Sequence, residues 1–304
     1  MKLGLLTAPF PETPLMEVAD WSVANGFEML EIACWPVSKG PTRRYAGTTH
    51  IDVASIDKAQ AKDIRAELEG KGLEVSALGY YPNPLHPDRD HRDTVIAHLK
   101  QVIVAAGWMG LPVVNTFCGG DASKHVDDNW SDALQVWPDI VAHARDNGVK
   151  IAFENCPMIF SYDEWPGGHN IAYSPYIWRR ILEAWGADVG MNYDPSHLVW
   201  QMIDQTRFIG EFGPHMLHAH AKDLMIDHDG LYERGIMSAG MGWQVPRLPG
   251  LGDVDWSEIF SGLYRAGYDG PMIIEHEDRN FEGTDELVKR GFLLARDVLR
   301  PYVK

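Results

Sequence analysis

Four short apolar runs each end in a side chain able to ligate a metal: IAFEN at Glu154, VGMNYDPSH at Asp194 and His197, LHAHAKD at His220, and MIIEHED at Glu275. Glu154, Asp194 and Glu275 offer carboxylate oxygens and His220 an imidazole. A donor set without thiolate suits Mn²⁺, with Mg²⁺, Co²⁺ or Zn²⁺ also compatible, and leaves coordination positions open for substrate oxygens or water. Any one of the four, taken alone, is explained equally well as a salt-bridged residue at a strand end. Four on successive runs argue for one centre. His218 alternates with His220, so both face the same side of a strand. His220, nearer the C-terminal end and followed by Lys222 and Asp223, is the expected ligand, and His218 a core histidine one layer deeper. His197, behind Pro195, is expected to hydrogen-bond substrate rather than metal.

Ligands spread from Glu154 to Glu275 can meet only if the strand ends that carry them point to one place, as they do in a barrel of βα units. The chain reads that way. Strand-like KLGLLT, FEMLEIACW, LEVSALGYY, PVVNTF, VKIAFEN, ADVGMNYD, HMLHAHAKD and PMIIEHE alternate with helix-like segments, the grammar of an α/β protein with a parallel sheet. Helices are expected to stop at Gly26, Gly148 and Gly267, Pro138 to bend or shorten the fourth, and HLVWQMIDQTRFIGEF to hold a less regular one. Near-continuous apolar strands suit burial on both faces. An open doubly wound sheet is the competing architecture. With no GxGxxG after the first strand and about eight units, the expectation is a single (β/α)8 TIM barrel over 1–304.

Long connections at about 35–53, 157–174 and 223–254 all follow strand C-termini, where a barrel builds its active site. They are expected to wall the pocket. The first carries Trp35 with Arg43 and Arg44, and the third Arg234, Trp243 and RLPGLGDVDW. Aromatics there either stack on sugar faces or cap the barrel. Trp35, Tyr80, Asn115 and Arg279 join His197 and Lys222 as expected substrate-binding residues. His98, His125 and His143 fall on helices as packing or solvated groups, and the acidic stretch HEDRNFEGTDE is expected to be solvated.

The chain has 304 residues, 45% hydrophobic, and a formal net charge of -16. That balance argues against nucleic acid as a partner, since binding it requires neutralising phosphates with Lys and Arg. Three cysteines, Cys34, Cys118 and Cys156, make no CxxC, so no disulfide framework and a cytoplasmic setting are expected. MKLGLLTAPF reads as the first strand, and no run is long enough to span a membrane. PGLGD is the sole, weak candidate for a phosphate cradle. A dimer or tetramer is compatible with a barrel of this kind.

ENxP at Glu154, DPSH at Asp194 to His197, HAKD at His220 to Asp223, PGLGDVDW at Pro249 to Trp256 and IIEHED at Ile273 to Asp278 together resemble the sugar phosphate isomerase and epimerase family of xylose-isomerase-like TIM barrels. The likeness covers nearly the whole chain. It implies metal-dependent proton transfer on a ketose or keto sugar. In ketose 3-epimerases of this family two metal-bound glutamates flank the substrate, and the matching positions are Glu154 and Glu275. His197 and Lys222 would orient or polarise substrate oxygens. Those epimerases carry an Arg shortly after the strand-seven His, whereas this chain has Lys222 and Asp223, which resembles the inosose dehydratase and hydroxypyruvate-isomerase-like branches. A lyase acting on inososes or 3-keto-glycosides by β-elimination is therefore the alternative. Endonuclease-IV-like phosphodiesterases share the barrel but need histidines where Tyr80, Tyr81, Asn115 and Thr116 stand. A non-catalytic sugar-binding barrel is the remaining class.

Overall fold

The computed structural model describes residues 1–38, 46–159 and 168–303. Arg43, Arg44 and the middle of the second long connection lie outside them. Eight parallel strands close into a barrel in the order β1-β2-β3-β4-β5-β6-β7-β10. They are β1 Lys2–Leu6, β2 Met29–Ala33, β3 Glu74–Gly79, β4 Val113–Thr116, β5 Lys150–Glu154, β6 Val189–Tyr193, β7 Met216–Ala221 and β10 Pro271–Ile274. Closure comes from β1, which pairs in parallel with β10 on one side and β2 on the other.

The helices α1 Leu15–Ala24, α2 Lys58–Gly70, α3 Arg89–Met109, α4 Val126–Asp146 and α5 Pro175–Trp185 cover the outside of the first half. α6 Ser196–Trp200, α7 Gln205–Phe212, α8 His228–Arg234, α9 Trp256–Ala266 and α10 Asp285–Leu299 belong to the second half. Gly26, Gly148 and Gly267 follow α1, α4 and α9 at φ 75°, 70° and 72°. Only glycine takes that left-handed conformation without strain, so those stops fall where the sequence places them.

α4 is not shortened: it continues past Pro138 to Asp146. Pro138 is exposed, so water can serve the carbonyl deprived of its N–H partner. The irregular helix resolves into α6 and α7, because Asp204 caps α7 by accepting from Arg207 N at 2.9 Å.

Two register shifts shape the interior. Between Leu30 and Glu31 the partner in β3 jumps from Val75 to Ala77, and between Met191 and Asn192 the partner in β7 jumps from Met216 to His218. Such irregularities re-aim side chains. Ala77, the partner of Glu31, forms a small apolar cluster with Val113 and Ala152.

The third long connection is more ordered than its sequence suggested. β8 Asp223–Ile226 and β9 Gln244–Arg247 pair antiparallel within it. Trp243, expected either to stack on a sugar face or to cap the barrel, is 1% exposed and packs with Trp200 and Leu224 into the hairpin's own small core. No helix among the described residues is long and apolar enough to cross a membrane.

Candidate active site

Glu154 is the last residue of β5, and the residue after it fixes the strand end. Asn155 Nδ2 donates to Asp194 O at 2.8 Å while its Oδ1 accepts from Asp194 N at 2.7 Å. This reciprocal pair ties the exits of β5 and β6 together, giving the Asn of ENxP a structural job. Asn170 adds donations to Glu154 O at 3.0 Å and Cys156 O at 2.6 Å. Asp194, fully buried after β6, accepts from Ser196 N at 2.8 Å through Oδ1. His220 stands in β7, and Glu275 directly follows β10.

These four side chains converge. One ligand atom each from Glu154, Asp194, His220 and Glu275 lies within 4.8 Å of the others. His220 Nδ1 sits between the glutamates, 3.2 Å from Glu275 Oε2 and 3.8 Å from Glu154 Oε2. Asp194 Oδ2 and His220 Nδ1 are buried and make no hydrogen bond among the described residues. Their near neighbours are charged groups, Lys222 Nζ at 3.1 Å from Asp194 Oδ2 and Glu275 Oε2 at 3.2 Å from His220 Nδ1. Carboxylate oxygens with one nitrogen are the donors that a hard or borderline divalent cation takes, so the residues fit such an ion.

Lys222 is the local counter-charge. Its Nζ lies 2.7 Å from Glu275 Oε2, 3.1 Å from Asp194 Oδ2 and 3.2 Å from Glu277 Oε2. Burial opposes its charge, but these carboxylates hold its pKa well above the ordinary lysine value. Burial raises Glu154 well above the usual carboxylate range, with Glu275 adding repulsion. Burial also acts on Glu275, yet Lys222 and His220 outweigh it and pull Glu275 below the usual range. Two carboxylates of one cluster are thus driven apart by their surroundings. Burial keeps His197 well below the ordinary imidazole value, with Lys222 pushing the same way.

Glu31, in the middle of β2, is a buried charge in contact with the cluster that the strand-end pattern does not mark. It is wholly buried, and its Oε2 accepts from His220 Nε2 at 2.7 Å while Oε1 accepts from the Tyr81 hydroxyl. A carboxylate cannot donate, so the His220 proton belongs on Nε2 and Nδ1 is left to face the cluster. Burial would raise Glu31, but His220 and then His218 outweigh it and keep it lowered. The nearby backbone makes room: a Cβ on Gly79 would stand 2.5 Å from Glu31 Oε1. A charged residue inside the apolar run MLEIA was the available signal. Attention to strand ends alone misses it.

His218 is the deeper core histidine. Its Nδ1 lies 3.0 Å from Asn192 Oδ1 and its Nε2 3.1 Å from Ser76 Oγ, and burial takes its pKa down to about 3.

Above the cluster a cavity of about 820 Å³ opens at the C-terminal end of the barrel. Glu154, His197, Lys222, Glu275, Trp35 and Arg279 line it. Tyr80 and Asn115 do not. β3 ends at Gly79, and side chains alternate from there: Gly79 and Tyr81 turn inward, while Tyr80 packs outward on His98 with ring centroids 4.6 Å apart. Tyr81 takes the lining position. Asn115, level with Gly79, is wholly buried and does not reach the cavity lining.

Two further expectations change. In HEDRNFEGTDE, His276 and Asp278 are each 1% exposed, and Asp278 accepts from Arg247 at 3.2 Å and Leu248 N at 3.3 Å. The start of that stretch is structural rather than solvated. PGLGD offers no phosphate cradle, because Gly250 N donates to Asp223 Oδ2 at 2.9 Å and Val254 N to Asp223 Oδ1 at 3.0 Å.

The chain is 27% identical over 308 residues to the uncharacterized protein YfiH of Bacillus subtilis (strain 168), covering 91% of this chain and 93% of that one. It is 24% identical over 191 residues to an inosose dehydratase of Lacticaseibacillus casei, covering 62% of this chain and 61% of the relative. The fold superposes on a D-psicose 3-epimerase from Clostridium cellulolyticum H10, crystallised with D-tagatose, with a TM-score of 0.71 over 100% of both chains at 16% identity. A match to the Xylose isomerase-like TIM barrel family spans residues 19–298, and the chain belongs to that family.

Proposed function

We propose that this protein is a divalent-metal-dependent isomerase or epimerase acting on a ketose or other keto sugar, with Mn²⁺ as the preferred ion. The observation that carries the reading is the convergence of Glu154, Asp194, His220 and Glu275 within 4.8 Å under an open cavity. β5 and β10 stand three places apart in the ring of eight, so Glu154 and Glu275 approach the cavity from different sides. When bound, the cation supplies positive charge where negative charge develops on the substrate oxygen as the neighbouring carbon loses its proton.

This chain's residues do the rest. One glutamate accepts the proton from the carbon beside the carbonyl and the other returns one from its own side, which inverts the centre. Lys222 and His197 orient substrate oxygens. Trp35, Phe117 and Trp200 line the cavity and give a sugar's apolar face something to lie on. Incubation of the metal-loaded enzyme in D₂O with ketohexoses, inososes and 3-keto-glycosides tests the proposal. Deuterium is expected at the carbon beside the carbonyl in an epimeric or isomeric product, and no exchange with any of the three classes would sink the reading.

The same proton abstraction followed by loss of a β-oxygen gives a lyase. Lys222 favours that second reading, since its ammonium 2.7 Å from Glu275 places a proton donor beside one of the two proposed proton-transferring glutamates. A product lacking that oxygen, with one deuterium gained, would select it.

A further inference from the structure

Glu154 presents its two oxygens in two directions. Oε2 lies 3.8 Å from His220 Nδ1, within the cluster already described, while Oε1 lies 3.6 Å from His197 Nε2, which is itself 3.2 Å from Asp194 Oδ2. Cys156 joins Glu154 and His197. Ligand atoms of Glu154, Cys156 and His197 lie within 4.8 Å of one another. His197 is 9% exposed, and its Nε2, close to Asp194 Oδ2 and Glu154 Oε1, is buried without a hydrogen bond among the described residues. All three cysteines are free, but Cys156 is half-buried and lines the cavity, whereas Cys34 and Cys118 are fully buried.

We infer that Glu154, Cys156 and His197 form a second metal position, adjacent to the first and selective for a thiophilic divalent ion such as Zn²⁺, with Glu154 bridging the two. A sulfur, an imidazole nitrogen and a carboxylate oxygen are zinc donors, at roughly 2.3, 2.0 and 2.1 Å, and three protein ligands leave the fourth tetrahedral corner open to the cavity. Mn²⁺ and Mg²⁺ prefer oxygen and gain nothing from the thiolate, so the two positions differ in the ion they select. On binding, the Cys156 S–H bond is replaced by an S–metal bond and the proton leaves to solvent. Occupation engages Glu154 and His197 together. Taken with the proposed proton-transfer role of Glu154, it makes the second position inhibitory: excess Zn²⁺ suppresses turnover without displacing the first ion.

Co²⁺ is the probe, since a cobalt–thiolate bond absorbs in the near ultraviolet and oxygen-ligated cobalt does not. The chelator-stripped full-length protein is titrated with Co²⁺, with bound ion measured by elemental analysis. Two ions per chain are expected, the thiolate band accompanying one of them. Cys156→Ser is expected to bind one ion without the band, and His197→Gln to shift the band's midpoint to at least tenfold higher Co²⁺. Should neither variant fold, the wild type still decides: Zn²⁺ is expected to protect Cys156 from iodoacetamide, with the modified residue located by peptide mapping. One ion per chain with no band, a band that survives Cys156→Ser, or unprotected alkylation would overturn the second position. A thiolate band with undiminished turnover would keep the position and overturn the proton-transfer role of Glu154, separating the two failures.

Discussion

The exits of β6 and β7 carry two aspartates that look alike in sequence and are used in opposite ways. Asp194 and Asp223 are both 0% exposed at strand ends. Asp223 has all its acceptor capacity engaged: Leu224 N and Val254 N donate to Oδ1 at 2.8 and 3.0 Å, and Gly250 N and Trp256 Nε1 donate to Oδ2 at 2.9 and 3.0 Å. Asp194 accepts one hydrogen bond through Oδ1, while Oδ2 lies 3.1 Å from Lys222 Nζ and 3.2 Å from His197 Nε2 without a hydrogen bond. The first carboxylate folds a loop. The second leaves one oxygen without a hydrogen bond, facing Lys222 and His197. What separates structure from chemistry here is the number of donors left unfilled, not burial or residue type.

The largest expected effect follows from removing the open carboxylate. Asp194→Ala should cut metal affinity by more than about 100-fold, because a direct ligand matters more than the outer partners whose loss typically costs 10–100-fold. Occupancy after dialysis, read by elemental analysis, checks this. The metal-free variant should also melt lower than the metal-free wild type, since buried Lys222 loses one of its counter-charges. Full occupancy in the variant would erase the distinction between the two aspartates.

Asp223→Asn should do the reverse. It leaves the backbone N–H groups of Val254 or Gly250, or the Trp256 indole, short of an acceptor, at a cost of about 2–3 kcal/mol for breaking charge-assisted bonds in a buried site. A lowered thermal midpoint with metal stoichiometry kept at saturating ion is the expected pair of results. A variant as stable as wild type but unable to bind metal would place Asp223 in the site instead.

Glu31 sharpens the comparison, being a carboxylate whose acceptors are filled by side chains that themselves face the cluster. Glu31→Gln should weaken metal binding about 10–100-fold, because a glutamine can offer its amide to His220 Nε2 and so favour the wrong tautomer. Gly79→Ala should mimic it in part, as the added methyl would stand 2.5 Å from Glu31 Oε1. Unchanged affinity in both would reduce Glu31 to a packing role.

The barrel and the converging ligands were legible because they rest on periodicity: eight apolar runs alternating with helical segments, and polar residues at four run ends. What escaped rests on three-dimensional accounting. Asp223 was read only as a motif neighbour of His220, because nothing in HAKD reveals that the amides of PGLGDVDW fold back on it. Glu31 was passed over because it sits in mid-strand, and its value depends on a register shift that brings Ala77, not Ser76, opposite it. The β8–β9 hairpin was hidden by Pro246 and by glycines that read as loop.

Tyr80 and Tyr81 provide the smallest test, one hydroxyl each, and they probe the alternation that the sequence reading assigned to the wrong partner. The Tyr81 hydroxyl donates to Glu31 and its ring lies 6.1 Å from that of His220. Tyr80 instead meets Trp35 edge-on at 6.0 Å and lies outside the cavity. Tyr81→Phe removes one buried donor from Glu31, a loss of about 1 kcal/mol, and should weaken metal binding by roughly fivefold. Tyr80→Phe should leave metal affinity within about twofold of wild type. Isothermal titration of both variants against the same ion reads the difference directly. The reverse order would mean that β3 presents its other face to the cavity, and with it the argument that Glu31 is already spoken for while Asp194 remains open would fail.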